Sequence, residues 1–159
     1  MRALVQRVSS GSVSIDGKIT SHIGKGFVIL LGVRQGDTED AARFLADKCS
    51  ALRVLEDTHG KMNLGLKDTG GSALVVSQFT LYADAQKGNR PGFSTAARPE
   101  EAEPLYHLFV DRMRATLGND RVMTGVFGAM MEVTIVNDGP VTILIESSGE
   151  KKPQTGRSA

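Results

Sequence analysis

Ser77-Gln78-Phe79-Thr80 sets two hydroxyls and an amide directly behind the β-forming apolar run 73–76. Such side chains can line a polar pocket, assist a developing oxyanion, or act as nucleophiles when a base lies within hydrogen-bond reach. In a regular strand Ser77 and Phe79 would share one face, and Gln78 and Thr80 the other. Small hydroxyls at a strand end are also common for structural reasons alone. A second cluster, Asn137-Asp138-Gly139-Pro140-Val141-Thr142, places a Gly-Pro step between two β-forming stretches, 133–136 and 141–145. A two-residue hairpin turn needs positive φ and nothing more. Proline adds a fixed φ, removes a donor and makes a cis peptide accessible. The step reads either as a tight corner between two strands or as rigid backbone placed to serve a site. In the second case a cis peptide would align neighbouring carbonyls as fixed acceptors. These would take an α-amino group while leaving no room for a side chain of L configuration.

Other chemistries find little support. His22, His59 and His107 sit in no triad setting, and no Gly-x-Ser-x-Gly elbow is present. Those histidines and Cys49 are widely separated and show no metal-ligand spacing. Neither Gly-x-Gly-x-x-Gly nor a Walker lysine appears, so no phosphate cradle is expected. The reading therefore includes no metal and no cofactor. Lys87, Arg90, Arg98, Arg112 and Arg114 are candidates to meet phosphates, or else form a solvated basic face.

The elements that must hold these residues are mostly strands. Residues 2–8 form a candidate strand, and 12–15 and 18–23 flank Asp16-Gly17, a strong hairpin signal. The unalternating run 27–31 predicts a strand covered on both faces. A helix is expected from about Thr38, capped by Asp37 or Thr38, with Ala41, Phe44, Leu45, Lys48, Cys49 and Leu52 as its inner stripe. Short strands are expected near 53–55 and 62–66, a turn at 68–71, and a strand over 72–81. A loop from 83 to 98 is long enough to suggest function or disorder. Pro99 suits a helix first turn, and Ala102, Tyr106, Phe109, Met113 and Leu117 continue it to Gly118. Strands near 121–124, 130–136 and 141–146 close the chain. The expected class is α+β, mainly β: a barrel-like antiparallel or mixed sheet with two outer helices. Residues 1–146 form one domain and 147–159 a polar, disordered tail.

Composition agrees with that class. The 159 residues are 40% hydrophobic and 23% charged, near globular averages. No apolar run is long enough to span a membrane, and the opening residues lack the apolar core of a signal peptide. A single cysteine excludes an internal disulfide and fits a reducing compartment, so the expected location is the cytoplasm. A net charge of +1 and an aromatic content of 5% argue against a protein that binds long stretches of nucleic acid. Contact with one end of a nucleic acid remains open.

Taken together, the two clusters resemble the paired motifs of the D-aminoacyl-tRNA deacylases. The opening Met1-Arg2-Ala3-Leu4-Val5-Gln6-Arg7-Val8, the loop 88–94 and the helix start at 99–106 resemble the same family, and neither motif departs from its pattern. The resemblance implies hydrolysis of the ester of D-aminoacyl-tRNA, and of glycyl-tRNA mischarged on non-cognate tRNA, in the cytoplasm. It assigns Ser77, Gln78, Phe79 and Thr80 to the pocket for the 3′-terminal aminoacyl-adenosine. It assigns Gly139 and Pro140 to a chiral filter that enters the pocket from the other subunit of a homodimer. It also implies that the 2′-hydroxyl of the terminal adenosine replaces a protein nucleophile. Two rival classes stand beside it: a hydrolase using Thr80 or Ser77 as nucleophile, and a noncatalytic RNA-binding or assembly module.

Overall fold

The computed structural model describes residues 1–147. Of the expected tail, Ser147 donates its N–H to the Met1 carbonyl at 3.0 Å; the remainder lies outside the described residues.

Strand β1 (Arg2–Ile15) is the spine of the sheet. It runs on through the span expected to separate two strands. Asp16 and Gly17 then turn the chain at φ 50° and 75°, a pair of positive values that a two-residue hairpin requires. Strand β2 (Lys18–Ile23) returns along the C-terminal half of β1, and β3 (Gly26–Gly32) pairs with its N-terminal half. As its unalternating sequence predicts, β3 is buried on both faces.

Helix α1 (Glu39–Ala51) starts at Thr38, whose side chain accepts from the Ala41 N–H at 3.3 Å. Its buried stripe is Ala42, Leu45, Ala46 and Cys49, rotated from the expected one, and Phe44 is 45% exposed. The small alanines allow close packing against the second long helix (Pro99–Leu117) and the sheet, which a phenylalanine there would prevent. Next come β4 (Leu55–Glu56), β5 (Met62–Leu64) and the single-turn helix α2 (Leu66–Thr69), where the pattern predicts only a turn.

Strand β6 (Ser72–Ser77) lies parallel to β3 and ends four residues before the expected Leu81. Helix α3 (Pro99–Leu117) begins at the expected proline and buries Tyr106, Phe109, Val110, Met113 and Leu117. Strand β7 (Val122–Thr124) runs parallel to β6. The sheet order is β2-β1-β3-β6-β7, and Ser21 Oγ on β2 donates to the Thr124 carbonyl on β7 at 2.8 Å. The two ends therefore nearly meet, and the mixed sheet is an almost closed barrel. One core, with Phe27, Ile29, Leu45 and Phe109, fills the space between sheet and helices. A smaller one, with Val8, Val13, Val28 and Leu74, lies on the opposite face.

The last strand departs most from expectation. The pattern predicts two strands with a corner between them. Residues 132–146 instead form one strand, β8 (Glu132–Glu146), paired antiparallel with β1 from Arg2↔Glu146 to Ser14↔Glu132. The Gly-Pro step interrupts the register without turning the chain.

Candidate active site

A cavity of about 650 Å³ opens beside the C-terminal ends of β3 and β6. Leu31, Val33 and Val76 come from the sheet, and Ala97, Pro99, Ala102 and Tyr106 from the start of α3. The remaining walls are residues 77–80 and residues 127–131 with Val133. The lining is largely apolar with a few polar groups, the composition of an orienting small-molecule pocket. Tyr106 is fixed beneath it, its hydroxyl donating to the Val75 carbonyl at 2.9 Å and its ring 5.6 Å from that of Phe127.

The structure thus brings Ser77, Gln78, Phe79 and Thr80 to one wall, but not as a strand. The Gln78 N–H donates to the Leu31 carbonyl at 2.8 Å, and the chain then tightens into a single 3₁₀ turn (Phe79–Tyr82). Strict face alternation is lost. Gln78 Nε2 donates to Thr80 Oγ1, tying the amide to the hydroxyl. The backbone N–H groups of Phe79 and Thr80, first in the turn, have no acceptor among the described residues. Two free donors on the rim of an apolar cavity are suited to an anionic or carbonyl oxygen.

No histidine lines the cavity, although the His107 ring packs edge-on against that of Tyr106, with centroids 5.4 Å apart. His59 lies beside Thr58 and His107 pairs loosely with Glu103 at 3.6 Å. Among the described residues, His, Cys, Asp and Glu side chains form no group suited to hold a metal ion. Burial pushes the Cys49 thiol up to about 12, leaving it a core side chain without nucleophilic character.

Gly139 and Pro140 are exposed and line no part of their own chain's cavity. Their peptide bond is cis. Between the pairs Gln6↔Thr142 and Val8↔Asn137, residues 138–141 of β8 stand opposite Arg7 alone. The Gly-Pro step is therefore the crest of a wide bulge. Asn137 closes its base, its Oδ1 accepting from the Val141 N–H at 3.1 Å and its Nδ2 donating to Thr142 Oγ1 at 3.0 Å.

Arg7 is not singled out by sequence reasoning, although its setting carries a signal. It shares an inward face of β1 with Ala3 and Val5, a charged residue in an apolar register. Its side chain is 5% exposed. Nε donates to the Asp138 carbonyl at 3.0 Å and Nη1 to the Val54 carbonyl at 2.9 Å, with the Glu56 and Asp138 carboxylates at 3.5 and 3.4 Å. The planar fork of donors suits this spread of acceptors and fastens the bulge to the body of the protein. Residues 127–131 also escape sequence reasoning: the pattern predicts strand over part of them and they carry no recognisable motif, yet they form a full wall.

A family model described as D-Tyr-tRNA(Tyr) deacylase matches residues 4–146. Relatives named D-aminoacyl-tRNA deacylase include one from Symbiobacterium thermophilum, 57% identical over 92% of this chain and 96% of that one. Another, from Chloroflexus aurantiacus, is 52% identical over 99% of this chain and 98% of its own. A solved structure named c-Myc DNA Unwinding Element Binding Protein is 42% identical with a TM-score of 0.88, over 92% of this chain and 99% of that chain. A second, described as a probable eukaryotic D-amino acid tRNA deacylase, is 18% identical with a TM-score of 0.77 over 91% of this chain and 98% of its own; it shares the fold.

Proposed function

We infer the chemistry of the cavity from the fact that this chain belongs to the D-Tyr-tRNA(Tyr) deacylase family. It is an enzyme, a D-aminoacyl-tRNA deacylase that hydrolyses aminoacyl-tRNA. In our reading the cavity takes the 3′-terminal aminoacyl-adenosine. The N–H groups of Phe79 and Thr80 stabilise the oxyanion that forms as the ester carbonyl is attacked. Ser77, Gln78 and Thr80 orient the ribose and ester, and the substrate's 2′-hydroxyl, in place of a protein group, activates the attacking water. Water adds to the acyl carbon, the bond from that carbon to the ribose oxygen breaks, and the proton lost by the water passes to the leaving oxygen, releasing D-amino acid and tRNA. An aminoacyl ester is labile, so positioning and preorganised donors supply enough acceleration. The observation that carries this reading is the cavity wall itself: two N–H groups with no acceptor among the described residues, in a lining that contains no histidine.

The finer steps require a second copy. Within one chain Gly139 and Pro140 are remote from the cavity. The crest of the bulge is exposed, rigidly anchored and carries no side chain at Gly139. It is therefore fitted to enter a partner's cavity, accept the α-amino group and exclude an L side chain. Strand β8 supports a homodimer: it pairs with β1 alone, its inward apolar residues are only half-buried, and Val136 and Leu144 are 48% and 52% exposed. Glycine has no side chain to reject, so glycyl-tRNA is cleaved in part. No helix of the described residues is long and apolar enough to cross a membrane, and the reading places the work in the cytoplasm, where tRNA is charged.

Matched D- and L-aminoacyl-tRNA, incubated without metal or nucleotide, test the proposal by ester loss. The D ester should be cleaved and the L ester spared; equal cleavage of both would defeat the filter. Replacing Thr80 by alanine should leave deacylation within about tenfold of the parent, because loss of a true nucleophile costs on the order of 10⁶-fold. A dead Thr80→Ala variant would instead establish the side-chain nucleophile. The likeness at 42% identity to a protein named for binding a DNA element favours a second reading, that the enzyme also binds nucleic acid apart from its reaction. That reading requires binding of uncharged tRNA or DNA that persists in a variant unable to cleave the ester.

A further inference from the structure

Ion pairing sorts the five basic residues that are candidates to meet phosphates. Arg112 holds Asp47 at two points, 2.8 and 3.0 Å, and Arg114 lies 3.8 Å from Asp111 and reaches the Val122 carbonyl at 3.5 Å. Both brace the helical layer. Lys87, Arg90 and Arg98 form no ion pair among the described residues and are exposed.

These three fall in the segment 84–98, where Asp84 is the one carboxylate, its Oδ1 accepting from the Gln86 N–H at 3.0 Å. The segment is irregular but well fastened. Asp84 and Gly92 exchange both backbone hydrogen bonds at 2.8 Å, Gln35 Nε2 donates to the Ser94 carbonyl at 3.0 Å, and the Ala97 N–H donates to the Val33 carbonyl at 3.0 Å. This fastening presents Phe93 to Phe79, edge to face, with ring centroids 5.1 Å apart. Phe79 lines the cavity, and the two rings are 56% and 37% exposed. Arg98 lies between Ala97 and Pro99, both cavity residues. An exposed aromatic pair at a cavity mouth, flanked by unpaired cations, is the equipment for unstacked bases and their phosphates.

We propose that Phe79 and Phe93, with Lys87, Arg90 and Arg98, form a platform for the single-stranded nucleotides immediately 5′ of the terminal adenosine. The inference rests on the deacylase reading of the cavity. It adds that the enzyme grips the unpaired end of the tRNA beyond the residue it acts on. Bases stack on the phenyl rings without sequence preference, and the cations follow the phosphates.

The test compares two substrates, D-aminoacyl-tRNA and 3′-O-D-aminoacyl-adenosine. Phe93→Ala should lower kcat/KM on the tRNA about tenfold, the typical value of one stacked base, and leave the adenosine ester unaffected. The double change Lys87→Ala/Arg90→Ala should also flatten the salt dependence on tRNA, by about 0.7 in logarithmic slope per cation removed. Equal losses on both substrates would overturn the platform, as would undiminished activity on tRNA. A changed mass of the Phe93→Ala variant by light scattering would overturn it too, assigning the patch to contact between copies. A parent protein that cleaves neither ester removes the deacylase reading itself, an outcome distinct from the others.

Discussion

Gly139→Ala is expected to lower D-aminoacyl-tRNA hydrolysis about a hundredfold while leaving the protein folded. Gly139 has φ 131°, a conformation that L residues rarely adopt. A β-carbon there would lie 2.8 Å from Val141 Cγ2, 3.0 Å from the Val141 nitrogen and 3.1 Å from Arg7 Nη2. Two of these neighbours belong to the bulge and the third is its anchor, so none can yield without moving the crest. A displacement of about 1 Å at a positioning element commonly costs on the order of 10² in rate. The damage stays local because β8 is paired with β1 on both sides of the bulge, over Arg2 to Gln6 and Ser10 to Ser14. Circular dichroism and light scattering should therefore match the parent while single-turnover deacylation falls. A normally active Gly139→Ala variant would show that the crest plays no part in the reaction.

Arg7→Met should cost about 3 kcal/mol in urea unfolding and also impair turnover. Methionine approximates the length of the alkyl stem but donates nothing. The buried Val54 carbonyl and the Asp138 carbonyl then lose their guanidinium partners. The two carboxylates contribute less, because Glu56 and Asp138 are 54% and 46% exposed and water can serve them. Arg7→Lys should fall between the two, restoring charge without the fork. Because a β-carbon at position 139 would meet Arg7 Nη2, the double variant should lose less than the two single losses combined. A stability change under about 0.5 kcal/mol in Arg7→Met would mean the bulge stands without its anchor.

Much of the fold is legible because its signals are local. Asp16-Gly17, Thr38 and Pro99 each act within a turn of chain, and the elements they delimit appear where expected. The errors share another cause. β6 stops at Ser77 because its partner strand β3 ends at Gly32 and the chain tightens into a 3₁₀ turn after Gln78, whereas the apolar pattern runs on to Leu81. The Gly-Pro step resembles a corner until β1 is seen alongside it with Arg7 in the gap. The inner face of α1 is chosen by the fit of small alanines, which hydropathy ranks below Phe44. Residues 77–80, at the cavity, and 139–140, outside it, are both visible as clusters of unusual types. Arg7 and residues 127–131 are not, since a partner 131 residues away or an unpatterned loop leaves no trace in spacing.

The continuity of β8 as one strand, paired with β1 on both sides of its bulge, also has a consequence for dosage. Val133, at the cavity, and Gly139 belong to one strand, separated by roughly 20 Å at the usual rise per residue. A chain cannot bend its own crest back over its own chamber without breaking that pairing. In the two-copy reading, recognition and reaction are held at a fixed span within each molecule and meet only between molecules. The abundance of the protein then enters its rate law twice, and an isolated copy is silent however well it is folded.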